Sequence, residues 1–129
     1  MKKVNRTEIN MANVIKKNFG SPDELREPDK MKVEFLEFPS GKVARLTSQP
    51  GWTWSECVGP IAGTETCQAH HLGVVTKGDI TIFGDDGSEE RFGPGDAYEV
   101  LPGHTAEVNG DEEVECFEFS SETAETYAK

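Results

Sequence analysis

The feature that most constrains this chain is its punctuation. From Pro39 onward, turn-forming clusters recur every eight to twelve residues or so: Pro39-Ser40-Gly41, Pro50-Gly51, Lys77-Gly78-Asp79, Asp85-Asp86-Gly87, Gly93-Pro94-Gly95-Asp96, Pro102-Gly103 and Asn109-Gly110-Asp111. Glycine supplies the positive φ that tight turns need, and proline fixes φ and cannot continue a ladder. Helical periodicity is weak between them, and apolar residues alternate with polar ones. Such alternation is visible from Met31 through Val33 and Phe35, and then at residues 43–47, 52–54, 72–75, 80–83, 97–101, 105–108 and 114–119. A period of two puts one face of each stretch toward a core. Short strands at this spacing predict an all-β sandwich or barrel.

The remaining segments flank that pattern. Residues 1–20 read as a basic N-terminal arm ending at Gly20. Ile9, Val14, Ile15 and Phe19 offer it a short apolar face, and Thr7-Glu8 offers it a weak helix start. The arm is expected to wrap its own domain or a neighbouring subunit, or to fray. Ser21-Pro22-Asp23-Glu24-Leu25 has helix-opening order. Residues 21–119 form the expected domain, and 120–129 a polar, acidic tail. A chain of 129 residues fits one domain, and seven Phe, two Trp and two Tyr supply bulky core material. No apolar run approaches the roughly 20 residues that span a bilayer, and the lysines at the start precede no apolar stretch. We therefore expect a cytoplasmic protein with no membrane partner.

The charge is unevenly placed. The formal net charge is −11, but residues 1–45 carry a net +3 and residues 46–129 a net −14. A body this acidic repels phosphate backbones, which disfavours nucleic acid as a partner, and it concentrates cations. The plain alternative is a solvated surface that keeps the protein soluble.

Three cysteines, Cys57, Cys67 and Cys116, are an odd number in a chain read as intracellular, so a disulfide framework is not expected. All three histidines lie between residues 70 and 104. On one strand, Cys67, Ala69 and His71 share a face, and Glu65 joins them if the strand runs unbroken; His70 points the other way and is left out. His104 follows the Pro102-Gly103 turn on a separate strand. If the two strands are neighbours, His71 and His104 converge. Thiolate and imidazole suit zinc, whereas imidazole with carboxylate suits iron, manganese or nickel. The candidate metal ligands are thus Cys67, His71 and His104, with Glu65 or Cys57 completing the set, and zinc is the favoured divalent ion. An open coordination position would activate a bound water. Each residue also has a plain alternative: small buried thiols, core histidines bonded to backbone, a loop acid. Cys116 reads as core. Trp52 and Trp54 share a strand face and either pack the core or a subunit contact or wall a ligand pocket. No phosphate-cradling loop or dinucleotide-binding glycine pattern is present. A Cys67–His71 nucleophile pair has no orienting Asn or Asp to argue for it.

These residues resemble the two motifs of the cupin superfamily of small β-barrels. The first motif runs Gly, five residues, His-x-His, three or four residues, Glu, six residues, Gly. Counting back from Gly78 puts His71 at the glutamate position, Cys67 and Glu65 at the two histidine positions, and Gly59 at the first glycine. In the second motif Gly95 and Gly103 fit. Leu101 stands in the proline position with Pro102 beside it, and Ala106 stands in the histidine position with His104 as the natural substitute. Asn109 falls one short of the asparagine. A second register, counted from Pro50-Gly51, puts Cys57 at the first histidine and makes residues 58–66 an inserted loop. The strings Gly51-Trp52-Thr53-Trp54-Ser55-Glu56-Cys57, Gly63-Thr64-Glu65-Thr66-Cys67-Gln68 and Pro102-Gly103-His104 look like a subgroup of small single-domain bacterial cupins of no assigned activity, whose members tend to have His at the position of Cys57.

The resemblance covers roughly residues 21–119. It implies a double-stranded β-helix, or jelly-roll barrel, and a homodimer. It also implies a small organic molecule held inside the barrel beside a divalent metal. No reaction is assigned. The alternative function is a metal-free module that binds or senses a sugar or organic acid, with the histidines and tryptophans contacting ligand directly. A third is a purely structural protein whose interior is filled by side chains.

Overall fold

The computed structural model describes residues 12–119 and 121–129. Among the described residues, nine strands and three short helices follow one another: β1 (Glu24–Arg26), β2 (Met31–Phe38), β3 (Gly41–Ser48), α1 (Trp54–Cys57), α2 (Gly59–Ala62), β4 (His71–Lys77), β5 (Ile80–Gly84), β6 (Glu89–Phe92), β7 (Ala97–Val100), β8 (His104–Val108), β9 (Val114–Glu118) and α3 (Ser121–Thr126). Six strands form one sheet in the order β1-β2-β3-β9-β4-β7, and three form another in the order β6-β5-β8. Every pairing is antiparallel.

Alternation sets the registers. On β2, Met31, Val33 and Phe35 are buried, and Lys32 and Glu37 are exposed. Glu34 is buried as well, against the pattern. It is tolerated because Arg45, directly opposite on β3, holds it with two parallel hydrogen bonds of 2.9 and 3.1 Å. The core lies between the sheets, where Phe35, Leu46 and Cys116 from the larger one meet Ile80 from the smaller. Gly78, between β4 and β5, has φ +87°, and a Cβ there would stand 2.5 Å from the Glu113 carbonyl oxygen, so only glycine fits that crossing.

Several segments differ from the sequence-based expectation. Residues 21–25 do not open a helix. Glu24–Arg26 pairs with β2, and the Asp23 carboxylate accepts the Glu37 N–H at 2.8 Å instead of capping a helix. Of the arm, residues 12–20 form no helix; Phe19 lies on the outer face of the larger sheet against Phe117, with ring centroids 5.7 Å apart. Thr7, Glu8 and Ile9 lie outside the described residues. Trp52-Thr53-Trp54 is not a strand. Thr53 makes a single bridge to Glu107, then its hydroxyl accepts the Glu56 N–H and starts α1. The 58–66 stretch is not a strand: α2 occupies its first half and ends on Gly63 at φ +73°, and a turn leads on to Cys67. Strand β6 carries Glu89, Glu90 and Arg91 and has no buried residue, so its edge position left no apolar signature. The 120–129 tail contains α3, on which Thr123 is fully buried, and Tyr127 just beyond it is 6% exposed.

Candidate metal centre

The site forms where the two sheets meet. Cys67 and His104 face each other across an isolated antiparallel bridge, closed by Cys67 N–H to His104 O at 2.7 Å and Gly103 N–H to Cys67 O at 2.8 Å. His71 opens β4, four residues on, and pairs with Val100 of β7 in the larger sheet. The alternation expected from Cys67 to His71 holds: Cys67, Ala69 and His71 are buried, and Gln68 is exposed. The ligand atoms of Cys67, His71 and His104 lie within 4.8 Å of one another, the only such group among the described residues. Cys67 Sγ is 3.5 Å from His71 Nε2, and the two imidazoles stand edge to face at 5.1 Å. Ligands on one zinc ion sit about 3.3–3.8 Å apart, given its usual bond lengths and tetrahedral angles. The Cys67–His71 distance already fits, and the widest separation has to close by about 1.0–1.5 Å.

Both imidazoles are held through Nδ1. His104 Nδ1 lies 2.7 Å from the Leu101 carbonyl, which only accepts, so Nδ1 carries the proton and Nε2 is left as the ligand atom. His71 Nδ1 donates to Glu118 Oε1 at 2.8 Å, which likewise leaves Nε2 toward Cys67. Glu118, on β9, is 4% exposed. Its Oε1 also accepts the Thr123 hydroxyl at 2.6 Å, and its Oε2 accepts the Tyr98 hydroxyl at 2.6 Å. A carboxylate behind a ligating histidine is the usual outer support of a metal site.

The electrostatics agree with that arrangement. Burial raises the Cys67 thiol pKa, but the His104 and His71 imidazoles beside it outweigh burial and bring it down to about 6. Burial disfavours charge on His71, yet the Glu118 carboxylate and Cys67 hold its pKa above the ordinary value. Burial pushes Glu118 up, and the His71 charge, with hydrogen bonds from His71, Thr123 and Tyr98, keeps it below the usual carboxylate range. Cys116 lies in the opposite situation: burial, then the nearby Glu118 charge, push its thiol up to about 12, so it stays a neutral core residue.

Two expected ligands lie elsewhere. Glu65 is exposed in the turn after α2, because α1 and α2 interrupt the strand on which it would have shared the face of Cys67. Cys57 is buried at the end of α1, and its thiol faces the Asp29 carboxylate at 3.9 Å. His70 is directed outward to Glu99 at 3.0 Å. The alternation of β9 carried one unread signal: Val114, Cys116 and Glu118 share the inward face, and an acid there requires a partner.

Beside the site is a cavity of about 50 Å³, lined by Trp52, Trp54, His71, His104, Tyr98, Tyr127 and mainly aliphatic side chains. Among the described residues, no Lys or Arg lines it. The indole N–H groups of Trp52 and Trp54 are buried without a hydrogen-bond partner.

No family model matches this sequence, and no curated protein matches it. Solved structures share its shape. A protein of unknown function from Rhizobium leguminosarum aligns with a TM-score of 0.60 at 14% identity, over 84% of this chain and 97% of that one. A cupin-superfamily sugar phosphate isomerase from Silicibacter pomeroyi aligns at 0.57 and 19% identity, over 80% and 73%. An RmlC-like cupin with a double-stranded β-helix from Methanocaldococcus jannaschii aligns at 0.54 and 12% identity, over 88% and 97%. The chain therefore has the cupin fold, a double-stranded β-helix.

Proposed function

We propose that this barrel binds one divalent metal ion through Cys67, His71 and His104, zinc in preference to iron, manganese or nickel, and takes a small organic molecule in the adjoining cavity. The observation that carries the reading is the orientation of the two imidazoles around one thiol: both use Nδ1 to donate, to Glu118 and to the Leu101 carbonyl, which leaves Nε2 of each as the nitrogen where a metal would replace the proton or fill the lone pair. One thiolate with two imidazoles suits zinc, and three protein ligands leave a fourth position open. A metal held there supplies Lewis acidity and lowers the pKa of a bound water. Glu118 fixes the orientation of His71, and aliphatic and tryptophan side chains wall the adjoining cavity.

The cavity bounds the ligand. About 50 Å³ is a third of the roughly 150 Å³ that admits a benzene ring, so a sugar does not fit the space as it stands. The apolar lining without Lys or Arg also disfavours a phosphorylated or multiply acidic ligand. The size excludes a sugar in either reading and confines the organic molecule beside the metal to a few non-hydrogen atoms, while the missing cationic side chains weigh against a metal-free organic-acid module. Cys67, His71 and Glu118 also have the shape of a nucleophile, a base and an orienting acid. His104 favours the metal, because a nucleophile relay has no use for a second imidazole at the same thiol. A homodimer in the cytoplasm belongs to the same reading. Exposed Leu72 and Phe119, joined by a backbone hydrogen bond of 3.0 Å, offer apolar surface for a subunit contact.

Cobalt titration of the metal-free protein tests the site. We expect one Co²⁺ per chain with a thiolate-to-cobalt charge-transfer band, and loss of that band in Cys67→Ser. Binding without the band, or a band that survives Cys67→Ser, overturns the ligand set.

A further inference from the structure

We infer that the C-terminal helix α3 is a working wall of this site, with Thr123 and Tyr127 as positioning residues for His71, so that docking of the helix and binding of the cation strengthen each other. The inference rests on the metal reading above and extends it to a segment whose sequence reads only as a polar tail.

Thr123 and Tyr127 lie four residues apart and so share one helical face. Both are buried, whereas Glu125 and Thr126 are exposed. That face meets the candidate ligands from behind. The Thr123 hydroxyl donates to Glu118 Oε1 at 2.6 Å and lies 3.1 Å from His71 Nδ1, so it touches both members of the carboxylate–imidazole pair. The Tyr127 ring stands edge-on to His71, with centroids 5.0 Å apart and planes at 88°. The Tyr127 hydroxyl reaches the Met31 sulfur at 3.7 Å, which fixes the far end of the ring. The helix is itself clamped from outside the site. Arg26 Nη1 donates to the Tyr127 carbonyl at 2.7 Å and to the Thr123 carbonyl at 3.3 Å, and the guanidinium lies 4.3 Å from the Phe35 ring centroid.

Two consequences follow. If α3 leaves, Glu118 loses one of its three donors, and His71 loses the ring that limits its rotation. If a cation holds His71 Nε2 in place, the pair that receives Thr123 is already ordered, and the helix docks onto a rigid surface. A coupling free energy between two binding events is the same in both directions.

The test compares Zn²⁺ affinity, measured by competition with a chromophoric chelator, for the wild type, Thr123→Val, Thr123→Ser and Arg26→Gln. Loss of an outer partner of a ligating histidine typically weakens binding 10- to 100-fold. Thr123 acts one bond further out, so we expect Thr123→Val to weaken zinc about 10-fold. Thr123→Ser keeps the donor and should retain wild-type affinity, and Arg26→Gln, remote from the ligands, should weaken zinc several-fold. Hydrogen exchange on the wild type gives a readout that does not depend on any variant folding: zinc should slow amide exchange at residues 123–127. Wild-type zinc binding, with all variants within about twofold and α3 exchange indifferent to zinc, overturns the coupling while leaving the metal site standing. A wild type that binds no zinc overturns the proposed function, and the coupling with it.

Discussion

Glu118 is the residue whose replacement reveals most about this barrel. Its carboxylate accepts three donors, His71 Nδ1 at 2.8 Å and Thr123 Oγ1 at 2.6 Å on one oxygen, and Tyr98 OH at 2.6 Å on the other. Glutamine in its place keeps one accepting oxygen for His71 and Thr123 and turns its NH₂ toward Tyr98, whose hydroxyl can rotate to accept. The Tyr98 O–H gives up its carboxylate acceptor, so the loss is the charge opposite His71 together with that one bond. Breaking a buried ion pair from one side costs about 3–5 kcal/mol, and with two of the three hydrogen bonds retained Glu118→Gln should fall within that range, at about 3–4 kcal/mol. The pH dependence has a definite sign. Glu118 is held below its ordinary pKa, so its contribution is present above about pH 4.3 and is lost as pH falls through the folded value. His71 is held above its ordinary pKa, so its share is complete below about pH 6.5 and fades as pH rises toward about 10. The penalty is therefore greatest near pH 5.5 and smaller at pH 9, by about the measure of the His71 share. Urea unfolding of the metal-free protein at both values, followed by tryptophan fluorescence, measures it. A variant within about 0.5 kcal/mol of wild type at pH 5.5, or a penalty equal at both values, would refute the ion pair.

Three further outcomes follow from neighbouring residues. Because the Trp54 indole N–H has no partner, Trp54→Phe removes a costly buried donor along with some packing, and should cost under about 2 kcal/mol by chemical denaturation, against about 3–5 for Trp54→Ala. Gly73→Ala places a methyl against the Phe117 carbonyl and 2.9 Å from the Tyr98 hydroxyl, so it should destabilise the fold by about 3 kcal/mol in a thermal melt and disturb the Tyr98–Glu118 bond. Cys57→Ser and Glu65→Gln lie outside the cluster and should leave zinc affinity within about twofold of wild type in a chelator competition.

The fold and three candidate ligands were legible because both rest on local patterns. Turn clusters mark the β5–β6 hairpin at Asp86-Gly87 and the crossing from one sheet to the other at Pro102-Gly103, and period-two alternation puts Cys67 and His71 on one face even though the regular strand begins only at His71. Where the pattern depended on tertiary contacts, it failed. Thr53 caps a helix that breaks the strand, and this one event sends Cys57 and Glu65 away from the site. Thr123 and Tyr127 gain their meaning from Arg26, some hundred residues earlier in the chain, and no local signal carries a contact of that span. Glu118 was readable in principle, as an acid on the inward face of an alternating strand, but its partners come from β4, β7 and α3 and are invisible in β9 itself.

The central claim is that Cys67, His71 and His104 together hold one metal ion. Elemental analysis of protein purified without a histidine tag, before and after dialysis against zinc, tests it most directly. The account predicts one zinc per chain in the wild type and none retained by the double variant His71→Ala, His104→Ala, with the folded circular-dichroism signature kept. Folded wild-type protein that retains no zinc, or a double variant that retains as much as the wild type, would contradict it.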